Sequence, residues 1–196
     1  LELSVPLLGR HQAINAALAW AAARAMQAAG WPRLDADAFR RGAAAWRWPA
    51  RLEPVVLPAG APCRRVFLDA AHNADGARSL ARFLADPPAP LAAPPVVLFG
   101  VLADKDAAEM LAALAPLAGQ LVLTRPPHDR ARGPRDLLPL LPAGTPAEVE
   151  PDPEAALDLA LSTALASGAD TLVACGSIYL VGALRTALRR RFGVPE

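Results

Sequence analysis

The chain has almost no lysine and very little cysteine. Of its 196 residues only Lys105 is a lysine, and the other basic residues are arginines. The 20 basic and 19 acidic side chains leave a formal net charge of +1, so no excess of positive charge favours nucleic acid as a partner. Cys63 and Cys175 are too few for a disulfide scaffold and are typical of a reducing compartment, so we expect a cytoplasmic protein.

Several longer patterns are missing as well. No apolar run reaches the roughly 18–20 residues of a membrane span and no signal peptide opens the chain, so we expect no membrane association. The Gly-x-Gly-x-x-Gly pattern of dinucleotide-binding proteins is absent, which disfavours a dehydrogenase. A phosphate loop ending in Gly-Lys-Ser/Thr is absent too, because the single lysine follows Asp104. If the protein handles ATP, we expect that loop upstream of Leu1, and we interpret the chain as the C-terminal part of something longer.

The sequence is 54% hydrophobic and rich in alanine, which predicts closely packed helices. One helix is predicted from Gly9 to Ala29, with an apolar face of Ile14, Ala17, Leu18, Ala21 and Ala25. A second is predicted from Asp35, as its cap, to about Trp46, with Ala38, Phe39, Gly42 and Trp46 on one face. The segment 46–50 breaks this pattern, so we place a domain boundary between residues 48 and 49.

After the boundary, short apolar strands alternate with helices of 10–15 residues. The predicted strands lie near 52–57, 65–69, 95–101, 120–124, 147–150 and 171–175. The predicted helices lie near 74–85, 105–117, 133–141, 153–166 and 177–192. This alternation predicts an α/β fold, a Rossmann-like, mostly parallel sheet with helices on both faces, preceded by the two helices described above.

The segment from Asp69 to Asn73 is the most informative part of the sequence. Its carboxylate, imidazole (His72) and amide follow a predicted strand and precede a predicted helix. Open α/β sheets bind ligands at the carboxyl ends of their strands, and a helix N-terminus favours anions. The alternative interpretation is that Asp69 and Asn73 only cap the helix.

Four other polar positions are candidates, each with a structural alternative. Asn15 shares a face of the first helix with His11, or belongs to a polar first turn. Arg51 lies between a turn and a strand, where a guanidinium suits a phosphate but is also common on surfaces. Lys105 stands between two aspartates, an arrangement equally typical of a solvated helix start. Arg130 lies in a predicted loop with Arg132, where arginines are usually just solvated. No cysteine or acid spacing around His11 or His128 supports a zinc site.

Taken in order, these segments resemble the folylpolyglutamate synthase/dihydrofolate synthase family of the Mur ligase superfamily. The matching elements are Gly-x-His-Gln-x-x-Asn-Ala-Ala from Gly9, Trp-Pro-x-Arg-Leu-Glu from Trp48, Leu-Asp-x-Ala-His-Asn from Leu68, Asp104-Lys105-Asp106, Arg130-Ala131 and Gly176-Ser177-Ile178-Tyr179-Leu180. The His-Gln and His-Asn pairs favour the folate branch over the peptidoglycan ligases. Three small residues depart from the family pattern: Ala50 and Ala70 replace glycines, and Ala74 replaces a common proline.

The resemblance implies an ATP site shared between a central ATPase domain, ending at residue 48, and a C-terminal domain from residue 49. Asn15 would contact the adenine, Arg51 the phosphates and Asp69 the ribose or nearby nucleotide atoms. His72 and Ser177 would act at the glutamate end, with Lys105 and Arg130 as further substrate-binding candidates. We expect no metal ligands in this sequence, because the Mg²⁺ ligands would lie mainly in the missing N-terminal part.

The function implied is an ATP-dependent ligase that adds L-glutamate to a folate or dihydropteroate carboxylate through an acyl phosphate, working as a monomer. Without its phosphate loop the fragment should not turn over by itself. Two alternatives remain open: another amino-acid ligase of the superfamily, and a non-catalytic binding module with a ligase-like sheet. A Gly-Thr-x-Gly-Lys-type loop upstream of Leu1 would favour a ligase over the binding module.

Overall fold

The structure, a computed structural model, describes residues 2–31 and 35–194. The chain divides into two compact units between Pro49 and Ala50. The first unit contains two helices, α1 (Arg10–Ala28) and α2 (Ala36–Ala44). As predicted, Asp35 caps α2, with a carboxylate oxygen that accepts a hydrogen bond from the Ala38 N–H at 2.7 Å.

An aromatic cluster joins the two helices of the first unit. Phe39 of α2 lies 5.1 Å from the ring of Trp20 in α1 and 5.9 Å from the ring of Trp46, both measured between ring centroids. Tilted and edge-on ring pairs at these distances are favourable contacts. The predicted face of α2 is therefore correct for Phe39 and Trp46, whereas Gly42 is exposed.

The apolar residues that recur at helical spacing along α1 are exposed in the structure. Ile14 and Leu18 are 64% and 65% exposed, and the buried positions are Gln12, Ala16 and Ala23. Spacing identifies a stripe of apolar residues, but burial requires a second element against that stripe. Within this unit α1 packs against α2, which is less than half as long, and the contact uses a different face.

The second unit is a six-stranded sheet with the strand order β1-β2-β6-β3-β4-β5. The strands are β1 (Glu53–Val56), β2 (Arg65–Asp69), β3 (Val96–Phe99), β4 (Gln120–Leu123), β5 (Ala147–Val149) and β6 (Thr171–Cys175). β1 runs antiparallel to β2, and all other neighbours are parallel. The register aligns Asp69, Cys175 and Phe99, so β2, β6 and β3 end side by side.

Helices cover both faces of this sheet, as the alternation of strands and helices predicts. They are α3 (Ala74–Ala85), α4 (Ala107–Leu114), α5 (Pro153–Ser167) and α6 (Ile178–Phe192). α5 and α6 bury alternate strand residues such as Val66 and Leu68 in the main core. Phe67 points to the opposite face, where its ring contacts that of Phe83 in α3, and α3 packs against α4.

Two predicted helices differ in kind from the expectation. Residues 134–140 form a 3₁₀ helix, in which Pro139 lies inside the helix and lacks the N–H that α-helical hydrogen bonding needs. The helix predicted over 105–117 is α-helical only in α4 and continues as a 3₁₀ turn, Ala115–Leu117, around Pro116. Within residues 2–31 and 35–194, no helix combines the length and apolar character that crossing a membrane requires.

Candidate functional site

The candidate residues of the second unit gather at one edge of the sheet. Parallel strands place their carboxyl ends together, and the loops that follow β2, β3, β4 and β6 therefore meet there. These loops contribute Asp69, His72, Lys105, Arg130 and Ser177. Because β1 is antiparallel to β2, the segment before β1, which contains Arg51, lies at the same edge.

Arg51 is presented by a tightly held turn. Its neighbours Ala50 and Leu52 both have positive φ, 60° and 47°, which is rare for residues with a Cβ. The Ala50 carbonyl accepts a hydrogen bond from the Ala70 N–H at 2.8 Å. Leu52 is buried, while the Arg51 side chain is half-buried. A backbone of this kind persists only where surrounding contacts hold it, and such turns cluster at functional sites.

Asp69 is one of the groups that hold this turn. Its carboxylate is 6% exposed, with one oxygen accepting from the Leu52 N–H at 2.9 Å and the other from the Ala71 N–H at 2.8 Å. The interpretation of Asp69 as a helix cap is wrong, because it ties the end of β2 to the turn that carries Arg51.

The positive φ of Ala50 gives a direct stability prediction. An L-residue in the left-handed region costs roughly 1–2 kcal/mol that glycine does not, and Ala50 stands where the resembling family has glycine. The extra flexibility of glycine in the unfolded chain offsets part of this relief. We therefore expect Ala50→Gly to raise the free energy of unfolding by ~0.5–1 kcal/mol. Ala118→Gly is the matched control, because Ala118 has an ordinary φ of −86° and should lose stability. Chemical denaturation measures both, and a loss in Ala50→Gly would contradict the strain.

His72 and Asn73 have separate tasks after β2. Asn73 caps α3, its side-chain oxygen accepting from the Gly76 N–H at 2.8 Å, so the capping interpretation is correct for this residue. The exposed His72 places Nδ1 2.9 Å from the Ala70 carbonyl oxygen. A carbonyl only accepts, so Nδ1 carries the proton and Nε2 is the basic nitrogen of the neutral ring.

Ser177 follows β6 through a glycine that nothing larger can replace. The serine is 2% exposed, and its Oγ accepts from the Tyr179 N–H at 3.2 Å as the cap of α6. Gly176 has a φ of 105°, and a Cβ there would lie 2.4 Å from the Gly100 carbonyl oxygen. The loops after β6 and β3 therefore touch through their backbones, which brings Ser177 to the centre of the edge.

The loops after β3 and β4 are hydrogen-bonded to each other. Leu102 pairs with Ala131 in an isolated bridge, and the Ala103 N–H donates to the Arg130 carbonyl at 2.8 Å. The half-buried Lys105 donates to Asp104 at 2.7 Å, and this bond lowers the pKa of the Asp104 carboxyl. The exposed Arg130 lies on the neighbouring loop. The structure thus brings the loops of Lys105 and Arg130 together.

The structure shows a contact between His128 and Tyr179 that the sequence did not predict. Their ring centroids are 4.3 Å apart, which joins the loop after β4 to the start of α6. His128 Nδ1 accepts from the Arg130 N–H at 3.0 Å, so Nε2 carries the proton of the neutral ring. No spacing rule connects two residues 51 positions apart, so only the topology reveals this pair.

The remaining candidates lie elsewhere or are unreactive. Asn15 lies on α1 in the first unit, where it is exposed and donates to the side-chain oxygen of Gln12 at 3.0 Å. Cys63 and Cys175 are free and buried; burial raises the pKa of Cys63 to about 11 and that of Cys175 further, so neither is a nucleophile near neutral pH. Across the described ranges, no group of three or more His, Cys, Asp or Glu side chains could hold a metal ion.

Comparison with known proteins gives a consistent set of relatives. The family described as Mur ligase, glutamate ligase domain, matches residues 50–178. The dihydrofolate synthase/folylpolyglutamate synthase of Mycobacterium tuberculosis is 41% identical over 140 residues, which are 66% of this chain and 26% of the relative. The folylpolyglutamate synthase of Lacticaseibacillus casei is 34% identical over 189 residues, 95% of this chain and 40% of the relative.

A solved structure shares the fold of this chain. The structure of Mycobacterium tuberculosis folylpolyglutamate synthase complexed with ADP and AMPPCP matches with a TM-score of 0.81 and 34% identity. The match covers 94% of this chain and 41% of that one. The chain therefore spans about two fifths or less of the length of these relatives.

Proposed function

The chain belongs to the Mur ligase family, matching its glutamate ligase domain over residues 50–178, and from this we propose that it acts as part of an ATP-dependent ligase. The proposed reaction joins L-glutamate to a folate or dihydropteroate carboxylate through an acyl phosphate. The two relatives described above are named as folylpolyglutamate or dihydrofolate synthases, which supports this substrate class. We further propose that residues 1–48 end a central ATPase domain, that 49–196 form the C-terminal domain, and that the protein is a cytoplasmic monomer.

The observation that carries the proposal is the strained turn that presents Arg51 beside Asp69. A guanidinium forms paired hydrogen bonds with phosphate oxygens and keeps its charge at any physiological pH. Two positive φ values flank it, and three hydrogen bonds fix the Ala50 carbonyl and the Asp69 carboxylate around it. The solved relative with ADP and AMPPCP contains the same fold, which supports nucleotide phosphates as the ligand of this edge.

The residues fit the nucleotide better than they fit the metal. Arg51 and Asp69 offer a cation and a hydrogen-bond acceptor, suited to phosphate and hydroxyl groups respectively. The described residues offer no cluster of three metal-binding side chains. Bound Mg²⁺ would neutralise phosphate charge during transfer, held by ligands from outside this chain. Asn15, with its exposed amide, remains the proposed adenine contact.

At the glutamate end, we propose that His72 and Ser177 position the amino acid. The amine of glutamate must lose a proton to attack an acyl phosphate, and the Nε2 of His72, whose Nδ1 is engaged by the Ala70 carbonyl, is the proposed acceptor of that proton. The Ser177 hydroxyl accepts from the Tyr179 N–H and keeps its own proton for donation to a carboxylate. The cations of Lys105 and Arg130, on adjacent loops, suit the carboxylates of glutamate or the acceptor.

The direct test uses the full-length protein with ATP, Mg²⁺ and labelled L-glutamate, offering dihydropteroate and a reduced folate separately. We expect ADP, phosphate and an acceptor heavier by one glutamyl residue, with none of these from the 196-residue chain alone. Transfer of an amino acid only to a cell-wall precursor would reject the folate assignment. Nucleotide binding without any amide product would favour a binding module.

A second prediction separates the roles of His72 and Ser177 from those of the nucleotide residues. In the full-length protein, His72→Ala and Ser177→Ala should each raise the KM for glutamate or lower kcat by about tenfold, as expected for a lost proton acceptor or donor. The KM for ATP should stay within about twofold. Steady-state kinetics with each substrate varied in turn measures this.

The control must separate a substrate contact from a helix cap. Asp152 caps α5 with hydrogen bonds from the Glu154 and Ala155 N–H groups and follows β5, three strands from the β6 that precedes Ser177, so Asp152→Ala removes a cap but none of the proposed substrate-binding side chains. Both Ser177→Ala and Asp152→Ala should lose ~1 kcal/mol of stability, but only the first should affect glutamate. If ATP saturation alone changes in the His72 and Ser177 variants, their assignment to glutamate is wrong.

A further inference from the structure

Glu53, the first residue of β1, connects the turn before it to the last helix of the domain. One of its carboxylate oxygens accepts from the Ala50 N–H at 2.9 Å. The other accepts from Nε of Arg185 in α6 at 2.8 Å. The side chains of Glu53 and Arg185 are 21% and 24% exposed, so this charged pair is largely shielded from water. Shielding strengthens such a charge-assisted bond relative to one at the surface.

Glu53 closes a set of hydrogen bonds around Arg51. The Ala50 N–H donates to the Glu53 carboxylate, and the Ala50 carbonyl accepts from the Ala70 N–H. The Leu52 N–H donates to the Asp69 carboxylate. The two peptide units that flank Arg51 are bonded to Asp69 and Ala70 at the end of β2, and the N–H of the preceding peptide unit is bonded to Glu53. Through Arg185, Glu53 links the turn to α6, a long helix packed against β2 and β6. Without it, the left-handed conformation of Ala50 would lose one of its two hydrogen bonds in this set.

We infer that Glu53 is a positioning residue: by holding the Ala50 N–H against the Arg185 anchor, it sets the direction in which Arg51 meets the phosphates of a nucleoside triphosphate. This inference rests on the proposed function for one point only, the identity of the ligand as a nucleoside triphosphate. The side chain of Glu53 itself need not touch the nucleotide. Its effect is on the backbone that carries the guanidinium, and small displacements of a positioned group weaken its contacts strongly.

The chain contains a matched ion pair for comparison. Arg65 and Asp170 join the start of β2 to the residue before β6, with a distance of 3.3 Å and exposures of 21% and 23%. This pair is as shielded as Glu53–Arg185 but lies at the opposite edge of the sheet, because both residues precede the strand ends where the candidate site gathers. Removing it should affect stability without moving Arg51.

The test compares Glu53→Ala, Glu53→Gln and Asp170→Ala in the full-length protein. We expect Glu53→Ala to raise the KM for ATP about five- to tenfold, with kcat and the KM for glutamate within about twofold. Glutamine keeps one oxygen for the Ala50 N–H but presents an amide donor to the Nε of Arg185, so Glu53→Gln should recover only part of the ATP affinity. Asp170→Ala should leave the KM for ATP unchanged. An unchanged KM in Glu53→Ala, or an equal rise in Asp170→Ala, would overturn the inference.

Hydrogen exchange separates this inference from the proposed function. In the full-length protein, the amides of Ala50 and Leu52 should exchange at least about tenfold faster in Glu53→Ala than in the unsubstituted protein. Their exchange rates should be unchanged in Asp170→Ala. Hydrogen exchange needs no substrate, so it tests the role of Glu53 even if the full-length protein shows no ligase activity. Protection of both amides in Glu53→Ala would show that the turn does not depend on Glu53, and the positioning role would be wrong.

Discussion

Replacing Gly176 with alanine is expected to destabilise the protein by at least about 3 kcal/mol, from positive-φ strain together with forced overpacking. The new Cβ would lie 2.4 Å from the Gly100 carbonyl oxygen and 3.0 Å from the ring of Phe99. The nearest atom belongs to the backbone, and it cannot rotate away as a flexible side chain would. Gly100 cannot retreat easily either, because its own Cβ position lies 2.7 Å from the Thr124 carbonyl oxygen.

Gly182 gives the matched control for this substitution. It lies inside α6, and no atom lies within 4 Å of the position that its Cβ would take. Gly182→Ala should therefore raise stability by ~0.5–1 kcal/mol, through the helix propensity of alanine. Urea denaturation followed by circular dichroism compares the two. If Gly176→Ala unfolds at the same urea concentration as the unsubstituted protein, the close approach of the two loops is wrong.

The fold of the second unit could be predicted from the sequence because its signals are local. β2, β3, β4 and β6 are short apolar runs that are each followed by a helical segment, and all six described strands fall within the predicted ranges. The helix predicted over 74–85 has those bounds in the structure. The errors arise where local chemistry or a distant partner decides. Pro139 converts a predicted helix to 3₁₀ geometry, and the exposed Ile14 shows an apolar face with no partner inside its unit.

The candidate site was predictable as a set of positions but not as a set of contacts. Asp69, His72 and Ser177 follow strands, and topology brings all such positions to one edge. The partners of these groups are long-range. The bond from the Leu52 N–H to Asp69 crosses 17 positions, and that from Arg185 to Glu53 crosses 132. Because no spacing rule links such residues, sequence reasoning gave Asp69 a ligand role and did not show that it fixes the turn before β1.

Ala50 and Ala70, which stand where the resembling family has glycine, also show what the sequence alone does not reveal. The resemblance identified Ala50 as standing where the family has glycine, but only the backbone angle shows what that glycine would do. At φ 60° a glycine relieves strain, so the departure has a physical cost at this position. At Ala70 the structure reports no positive φ, and nothing in it explains a preference for glycine there.

Arg51→Ala is expected to lower kcat/KM for ATP at least tenfold in the full-length protein. Truncating one partner of a desolvated charge pair costs about 2–5 kcal/mol, which corresponds to a loss of that size or larger. In the proposed role the strained turn positions this one side chain, so we expect no neighbouring group to replace it. Arg51→Lys should retain part of the activity, because lysine keeps the charge but cannot form the two parallel hydrogen bonds of a guanidinium.

The control for Arg51 is Arg64→Ala. Arg64 is exposed and precedes β2, which places it at the opposite edge of the sheet from Arg51. Both variants lose one positive charge, so any general effect of net charge on a polyanionic substrate is shared between them. Only Arg51→Ala should weaken ATP binding, and the KM for glutamate should move little in either variant, because the proposed glutamate contacts, His72 and Ser177, lie on other loops. Equal ATP kinetics in the two variants would remove Arg51 from the nucleotide site and leave its turn a purely structural feature of the domain.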